Sequence, residues 1–220
     1  MRVRGQTNPG KLLHMFIALF FSPDNRFLFV PDLGIDKVMI YAFDETTGKL
    51  TTAKQPFAQS EPGTGPRHIC FHTSNKYAYL IQELSGMVTV FKYKDGMLKS
   101  KQRISSMPAG DTSFAGSADI HVSPDGKFLY ASNRAESNTI AIFSINQKNG
   151  KLSLIGHQST LGKTPRNFNF DPTGNFLLVA NQNSDKIVVF KIDKDTGLLT
   201  DTNNSIDVGK PVCLKWISMQ

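Results

Sequence analysis

The chain has 220 residues, 40% of them apolar, enough for a substantial core in one large domain or two small ones. Its formal charge of +7 comes from Lys and Arg scattered beside acidic partners in turns such as Asp36-Lys37 and Lys191-Ile192-Asp193-Lys194. No basic run exceeds two residues, which disfavours a nucleic-acid surface. Sixteen Phe and five Tyr against a single Trp, with 17 Gly and 11 Pro spread along the chain, favour short strands broken by turns over helices.

At the N-terminus, Met1-Arg-Val-Arg4 precedes the apolar stretch Leu12-Leu-His-Met-Phe-Ile-Ala-Leu-Phe-Phe21. The stretch is too short to span a bilayer, lacks a small-residue cleavage site and aligns in its second half with later repeats. A cytoplasmic strand is therefore expected in preference to a secretion signal, with no membrane partner. Cys70 and Cys213 lie far apart, each in an apolar strand-like segment. Two buried thiols in a reducing, cytoplasmic setting are expected, because a disulfide scaffold or metal site needs more cysteines or a paired His.

The organising feature is a repeat. Phe20-Phe-Ser-Pro-Asp-Asn-Arg-Phe-Leu-Phe-Val30, Cys70-Phe-His-Thr-Ser-Asn-Lys-Tyr-Ala-Tyr-Leu80, His121-Val-Ser-Pro-Asp-Gly-Lys-Phe-Leu-Tyr-Ala131 and Asn169-Phe-Asp-Pro-Thr-Gly-Asn-Phe-Leu-Leu-Val179 align at spacings of 50, 51 and 48 residues, marked by Pro23, Thr73, Pro124 and Pro172. Each repeat reads as a strand, a Pro-Asp-Gly-like turn, a second strand, a break and a third alternating strand. The third strands are 37–43, 87–93, 139–145 and 186–192, each followed by a Gly turn into a fourth. Four antiparallel strands per repeat make a propeller blade, so an all-β propeller with about four blades is predicted. The tail Gly209-Lys-Pro-Val-Cys-Leu-Lys-Trp-Ile217 reads as the first strand of a further blade.

Equivalent residues of successive blades form rings about one axis. At the start of strand one the ring is Ile17, Arg67, Ala118 and Arg166; at the end of strand two it is Leu33, Glu83, Arg134 and Gln182. Antiparallel pairing puts both rings on one face, flanked by Asn133 and Asn181. Three guanidiniums around a channel suit a phosphate or carboxylate, and Glu83 among them is either a base or a tie between blades. His68 and His121 lie on the same strands, and His72 and His157 elsewhere; no His pair has the spacing of zinc ligands, and no metal or organic cofactor is expected.

Gly65-Pro-Arg-His68, Gln82-Glu83-Leu84, Ala118-Asp-Ile-His121, Ser132-Asn-Arg134, Thr164-Pro-Arg166 and Ala180-Asn-Gln182 together resemble the seven-bladed lactonase family, which includes bacterial propeller 6-phosphogluconolactonases and the fungal carboxy-muconate lactonising enzyme. The resemblance runs from about Phe20 to the end. It implies a lactonase-like hydrolase that opens a small anionic sugar lactone, 6-phosphoglucono-1,5-lactone before others, with Arg67, Glu83 and Arg134 catalytic; the ring and strand positions add Arg166, His121, Gln182 and Asn133 as substrate-binding candidates. The family pattern has a His where this chain has Ile17, with His14 three residues away. Residues 1–16 are read as a non-family segment ahead of blades at 17–220, in a member truncated at its N-terminus whose open edges self-associate. A non-catalytic propeller that binds a metabolite or protein on the same face is the competing reading.

Overall fold

The computed structural model describes residues 14–217; Met1–Leu13, most of the segment read above as lying outside the family, fall outside the described residues. Four four-stranded antiparallel sheets follow one another in chain order, each meandering outward from its first strand. Blade one holds β1 (Phe20–Phe21), β2 (Phe27–Asp32), β3 (Lys37–Asp44) and β4 (Lys49–Gln59). Blade two holds β5 (Pro66–Phe71), β6 (Tyr77–Gln82), β7 (Met87–Lys94) and β8 (Met97–Ser105). Blade three holds β9 (Ser117–Val122), β10 (Phe128–Asn133), β11 (Thr139–Ile145) and β12 (Leu152–Ser159). Blade four holds β13 (Pro165–Phe170), β14 (Phe176–Asn181), β15 (Lys186–Ile192) and β16 (Leu199–Asp207). This is the all-β propeller the repeat predicts, and the one helical element among the described residues is a 3-10 turn at Gln182–Ser184.

The core lies between blades. Phe29, Val38 and Ile40 of blade one meet Ile69, Leu80 and Phe91 of blade two; Tyr79, Ile81 and Val88 meet Ile120, Leu129 and Phe143; Tyr130, Ile140 and Ile142 meet Phe168, Leu177 and Phe190. A middle blade is covered on both faces, which is why β6 and β10 are apolar almost throughout and buried at every position. First strands approach one another across blades, β5 against β9 and β9 against β13, so they line the axis.

Two devices repeat with the blades. Asp36, Gly86, Asn138 and Asp185 occupy the same left-handed turn position ahead of strand three, and each carbonyl accepts the N–H of the residue just after its own outer strand: Ser60, Ser106, Thr160 or Val208. Gly, Asn and Asp are the residue types that tolerate this backbone. The second device joins neighbours. A Cβ on Gly96, Gly150 or Gly197 would come within 2.5, 2.4 or 2.5 Å of the rings of Phe27, Tyr77 or Phe128 in the preceding blade, so each glycine is the socket for an aromatic knob. Tyr79 and Tyr130 hydroxyls donate to the carbonyls of Gly150 and Gly197 at 3.1 and 2.7 Å.

Two expectations are corrected at the C-terminal end. Among the described residues 209–217 form no strand; this segment lies along β13 and is held by side chains, Asn167 Oδ1 accepting from Leu214 N, Asn169 Nδ2 donating to Leu214 O and Trp216 Nε1 donating to Phe170 O. Strand pairing needs a neighbour on the segment's outer side, and β13 offers side chains, its own backbone being paired with β14. Cys213 in this tail is exposed, whereas Cys70 on β5 is half-buried with its thiol pKa pushed well up by burial; both thiols are free.

Gly150 combines φ of +73° with a Tyr77 ring where a Cβ would go. Gly150→Ala is expected to lose about 1–3 kcal/mol in urea unfolding, against a negligible loss for Ala at an open, exposed turn position of ordinary φ. A loss below about 0.5 kcal/mol would contradict the knob-and-socket account.

Candidate active site

Each first strand carries an irregularity that sequence periodicity does not reveal. In β5 the pairing passes from Pro66↔Gln82 to His68↔Ile81, so Arg67 is an extra residue opposite no partner. In β13 it passes from Pro165↔Asn181 to Asn167↔Ala180, leaving Arg166 in the same position; in β9 the slip falls between Ser117↔Asn133 and Ile120↔Ala131, at Ala118 and Asp119. Phe16 bridges Asp32 and Phe20 pairs with Phe29, which places Ile17 at the equivalent point of blade one. A β-bulge breaks the alternation of a strand and re-aims the side chain it frees. The bulge position is therefore the ring of Ile17, Arg67, Ala118 and Arg166.

Arg67 is 4% exposed. Its Nε donates to Glu83 Oε2 at 2.8 Å, and its Nη1 donates to Ala118 O at 2.5 Å and faces His68 Nε2 at 3.0 Å. Arg134 at the end of β10 donates from Nη2 to Glu83 Oε1 at 2.7 Å and from Nε to Gly116 O at 2.5 Å. Glu83 thus clamps guanidiniums from two blades, one on each oxygen. Burial and the charge of Arg134 bring the Arg67 pKa down to about 10 against the pull of Glu83, and Arg166 adds to the same repulsion. Three guanidiniums share one end of the channel with the carboxylate of Glu83 and, behind them, that of Asp119, and the positive charge left over suits an anion. Arg166 is half-buried and its side chain makes no hydrogen bond or ion pair among the described residues. Gln182 enters at the same end, in the turn after β14, its N–H held by Thr164 O at 3.0 Å.

Behind the arginines lies a carboxylate that belongs to neither ring. Asp119, 2% exposed, accepts on Oδ1 from His68 Nδ1 at 2.8 Å and Ile120 N at 3.0 Å, and on Oδ2 from His121 Nε2 at 3.1 Å, Asn167 Nδ2 at 2.5 Å and Phe168 N at 3.2 Å. It ties blades two, three and four at one point. The alternation in Ala118-Asp-Ile-His121, which turns Asp119 and His121 to one side of β9, is the signal that could have found it.

The remaining candidates divide. His121 is half-buried, held by Asp119 and set edge-on to Phe168. Asn133 is fully buried: its Oδ1 accepts from the hydroxyls of Ser106, at the end of blade two, and Ser117 of its own blade at 2.8 and 2.6 Å and its Nδ2 donates to Ser106 O, so its amide is committed to tying blade three to blade two. Asn181 of blade four makes the matching bond to Thr160 O, at the end of blade three. His72 bonds Ser74 and Gly126 O, and His157 bonds Ser106 O, all within or between blades. His14 sits against Asp32 at 2.6 Å. No group of three or more His, Cys, Asp or Glu among the described residues is placed to hold a metal ion.

The family model for lactonases of the seven-bladed β-propeller type matches residues 7–216. The chain belongs to that family. It is 47% identical over 181 residues to a 6-phosphogluconolactonase of Formosa agariphila, covering 81% of this chain and 51% of that one, and 40% identical over 200 residues to one of Bacillus subtilis, covering 90% and 56%. A solved structure, the periplasmic gluconolactonase PpgL of Pseudomonas aeruginosa, superposes with a TM-score of 0.88 at 38% identity, over 93% of this chain and 57% of that one. The chain spans about half the length of the curated relatives it matches, and its four blades correspond to part of a seven-bladed ring.

The buried polar groups make stability depend on pH with a definite sign. Burial lowers the His68 pKa from its ordinary 6.5, although Asp119 opposes it, so below about pH 6.5 the unfolded chain takes up a proton that the folded chain resists. For Asp119 burial is outweighed by His121 and His68, which hold its pKa well below 3.8; that contribution is present above 3.8 and is lost as pH falls through and below it. Unfolding free energy should therefore start to fall near pH 6.5 and fall more steeply below about pH 4, and His68→Gln should flatten the first part. An unchanged slope between about pH 7 and 5 in the variant would contradict the assignment.

Proposed function

We propose that the site hydrolyses a phosphorylated sugar lactone, 6-phosphoglucono-1,5-lactone, to the open-chain acid. The observation that carries the reading is the cluster of Arg67, Arg134 and Arg166 around Glu83 at one end of the channel, in a chain whose relatives are named 6-phosphogluconolactonases. Water adds to the lactone carbonyl carbon, negative charge gathers on the carbonyl oxygen, the ring C–O bond breaks and the ring oxygen leaves as a hydroxyl with the proton that the water lost. Guanidinium donors fixed before the substrate arrives stabilise the developing oxyanion without reorganisation. Arg67 and Arg134 are held in that way by Glu83, Ala118 O and Gly116 O. Arg166, whose side chain has no partner among the described residues, is assigned to the phosphate, with Gln182 and His121 at its side. Glu83 holds the two arginines and offers its remaining lone pairs to the attacking water. The reaction as proposed uses side chains and water alone.

The full chain should accelerate opening of this lactone over buffer. Glu83→Gln should abolish most of the acceleration, and Arg166→Ala should raise KM for the phosphorylated lactone by roughly tenfold or more, the loss of one charge-assisted hydrogen bond, while leaving plain gluconolactone little changed. Folded protein that binds 6-phosphogluconate without accelerating hydrolysis would leave a binding module; no binding and no acceleration would overturn the reading.

We also propose that the chain associates with a second copy of itself. Among the described residues Gly48, equivalent to the three sockets, has nothing within 4 Å of a would-be Cβ, and Phe176, equivalent to the three knobs, is 37% exposed. The outer faces of blades four and one are the two halves of one recurring interface, and unpaired propeller faces invite pairing. Sedimentation should show a concentration-dependent dimer or larger species that Phe176→Ser weakens. A monomer at all concentrations would contradict it.

A further inference from the structure

Arg67 has five N–H donors and must point one edge of its fork at any anion in the channel. Its Nε is taken by Glu83 and one Nη1 donor by Ala118 O, both across distances that fix the plane of the group. The other contact of Nη1 is His68 Nε2 at 3.0 Å. That contact is an attraction only if Nε2 carries a lone pair and no proton, since an arginine can only donate.

The proton's place follows from the far side of the ring. His68 Nδ1 lies 2.8 Å from Asp119 Oδ1, and an ionised carboxylate can only accept. All five groups around Asp119, the rings of His68 and His121, the Asn167 amide and the N–H groups of Ile120 and Phe168, therefore donate to it. His68 must carry its hydrogen on Nδ1, which leaves Nε2 bare toward Arg67. The groups that face His68 are Arg67 on its own strand, Asp119 from β9 with His121 beyond it, and the edge of the Phe20 ring from β1. Burial, which disfavours an imidazolium here, works in the same direction.

We infer that His68 is a positioning residue: Asp119 of the next blade fixes its tautomer, and its bare Nε2 holds the Arg67 guanidinium so that Nη2, which has no partner among the described residues, is presented to the anion in the channel. The chain of donation runs Arg134 and Arg67 to Glu83, Arg67 to His68, and His68 to Asp119, so the aim of the anion-binding fork is set from blade three through an imidazole. This rests on the proposed function for the identity of the anion, while the tautomer and the hold on Arg67 do not.

The test has two readouts on the full chain. Nitrogen-15 NMR of the histidine rings at neutral pH should show His68 with hydrogen on Nδ1 and a bare Nε2; hydrogen on Nε2, or an imidazolium, would overturn the inference. Calorimetry with 6-phosphogluconate then compares His68→Gln, whose Oε1 can accept from Arg67, with His68→Phe, which cannot. The Phe variant should weaken binding about tenfold or more while the Gln variant stays within about threefold of the parent. Equal losses in the two would overturn the inference. Should the parent chain bind no 6-phosphogluconate, the proposed function fails, and the Arg67 side-chain N–H signals decide the positioning claim: slow, dispersed signals in the parent and the Gln variant but averaged ones in the Phe variant support it, and no difference overturns it. If the Phe variant does not fold, the tautomer of the parent still decides.

Discussion

A guanidinium buried at the end of the channel is the constraint on which the rest of this site depends. Removing a cation from water costs several kcal/mol unless acceptors replace its hydration, and Arg67 is given a carboxylate, a carbonyl and an imidazole nitrogen, each from a different direction. Those acceptors belong to blades two and three, so the cation can be satisfied only when the blades are docked. The carboxylate that compensates it also takes Arg134, and the imidazole needs Asp119 behind it to keep its lone pair facing forward. One buried charge thus recruits most of the polar residues at this end of the propeller.

The bulge turns this charge out of the inter-blade cores and toward the axis. Regular alternation would send successive residues of a first strand into one or other inter-blade core, where apolar side chains from both neighbours leave no room for a guanidinium. The extra residue at Arg67 and Arg166 breaks that alternation just where the first strands reach the axis. The recurring interface between blades, with an aromatic ring against a glycine near the outer turns, leaves this end of each first strand free to carry chemistry. In this chain the same position holds Ile17 in blade one and Ala118 in blade three, so the cationic lining comes from blades two and four, with Arg134 supplied from a second strand.

The blades were legible in the sequence because their determinants are local. The Ser-Pro-Asp-Gly turn, the period-two alternation of 37–43 or 139–145 and the Gly before each fourth strand each act within a dozen residues. The rings of Arg67 with Arg166 and of Glu83 with Arg134 were legible for the same reason, since a repeat of nearly constant length carries its register from blade to blade. Partners set by contact between blades were not. Nothing within Ala118-Asp-Ile-His121 says that Asp119 will meet His68, some fifty residues earlier in the chain, and nothing beside Asn133 says that its amide will be spent on Ser106 of the preceding blade as well as on Ser117 of its own. The tail 209–217 has an apolar pattern that suits a strand yet forms none, because a strand also requires a neighbour to accept its backbone bonds.

As proposed, the channel end framed by Arg67, Arg134 and Arg166 is an anion seat whose donors are set in place before the anion arrives. A crystal structure of the full chain grown with 6-phosphogluconate tests this most directly. The account predicts ligand density with an anionic oxygen within hydrogen-bond distance of Arg67 Nη2 and of Arg166, and the Arg67–Glu83–Arg134 contacts kept as they are. Density on another surface, or a seat left empty at saturating ligand, would contradict it.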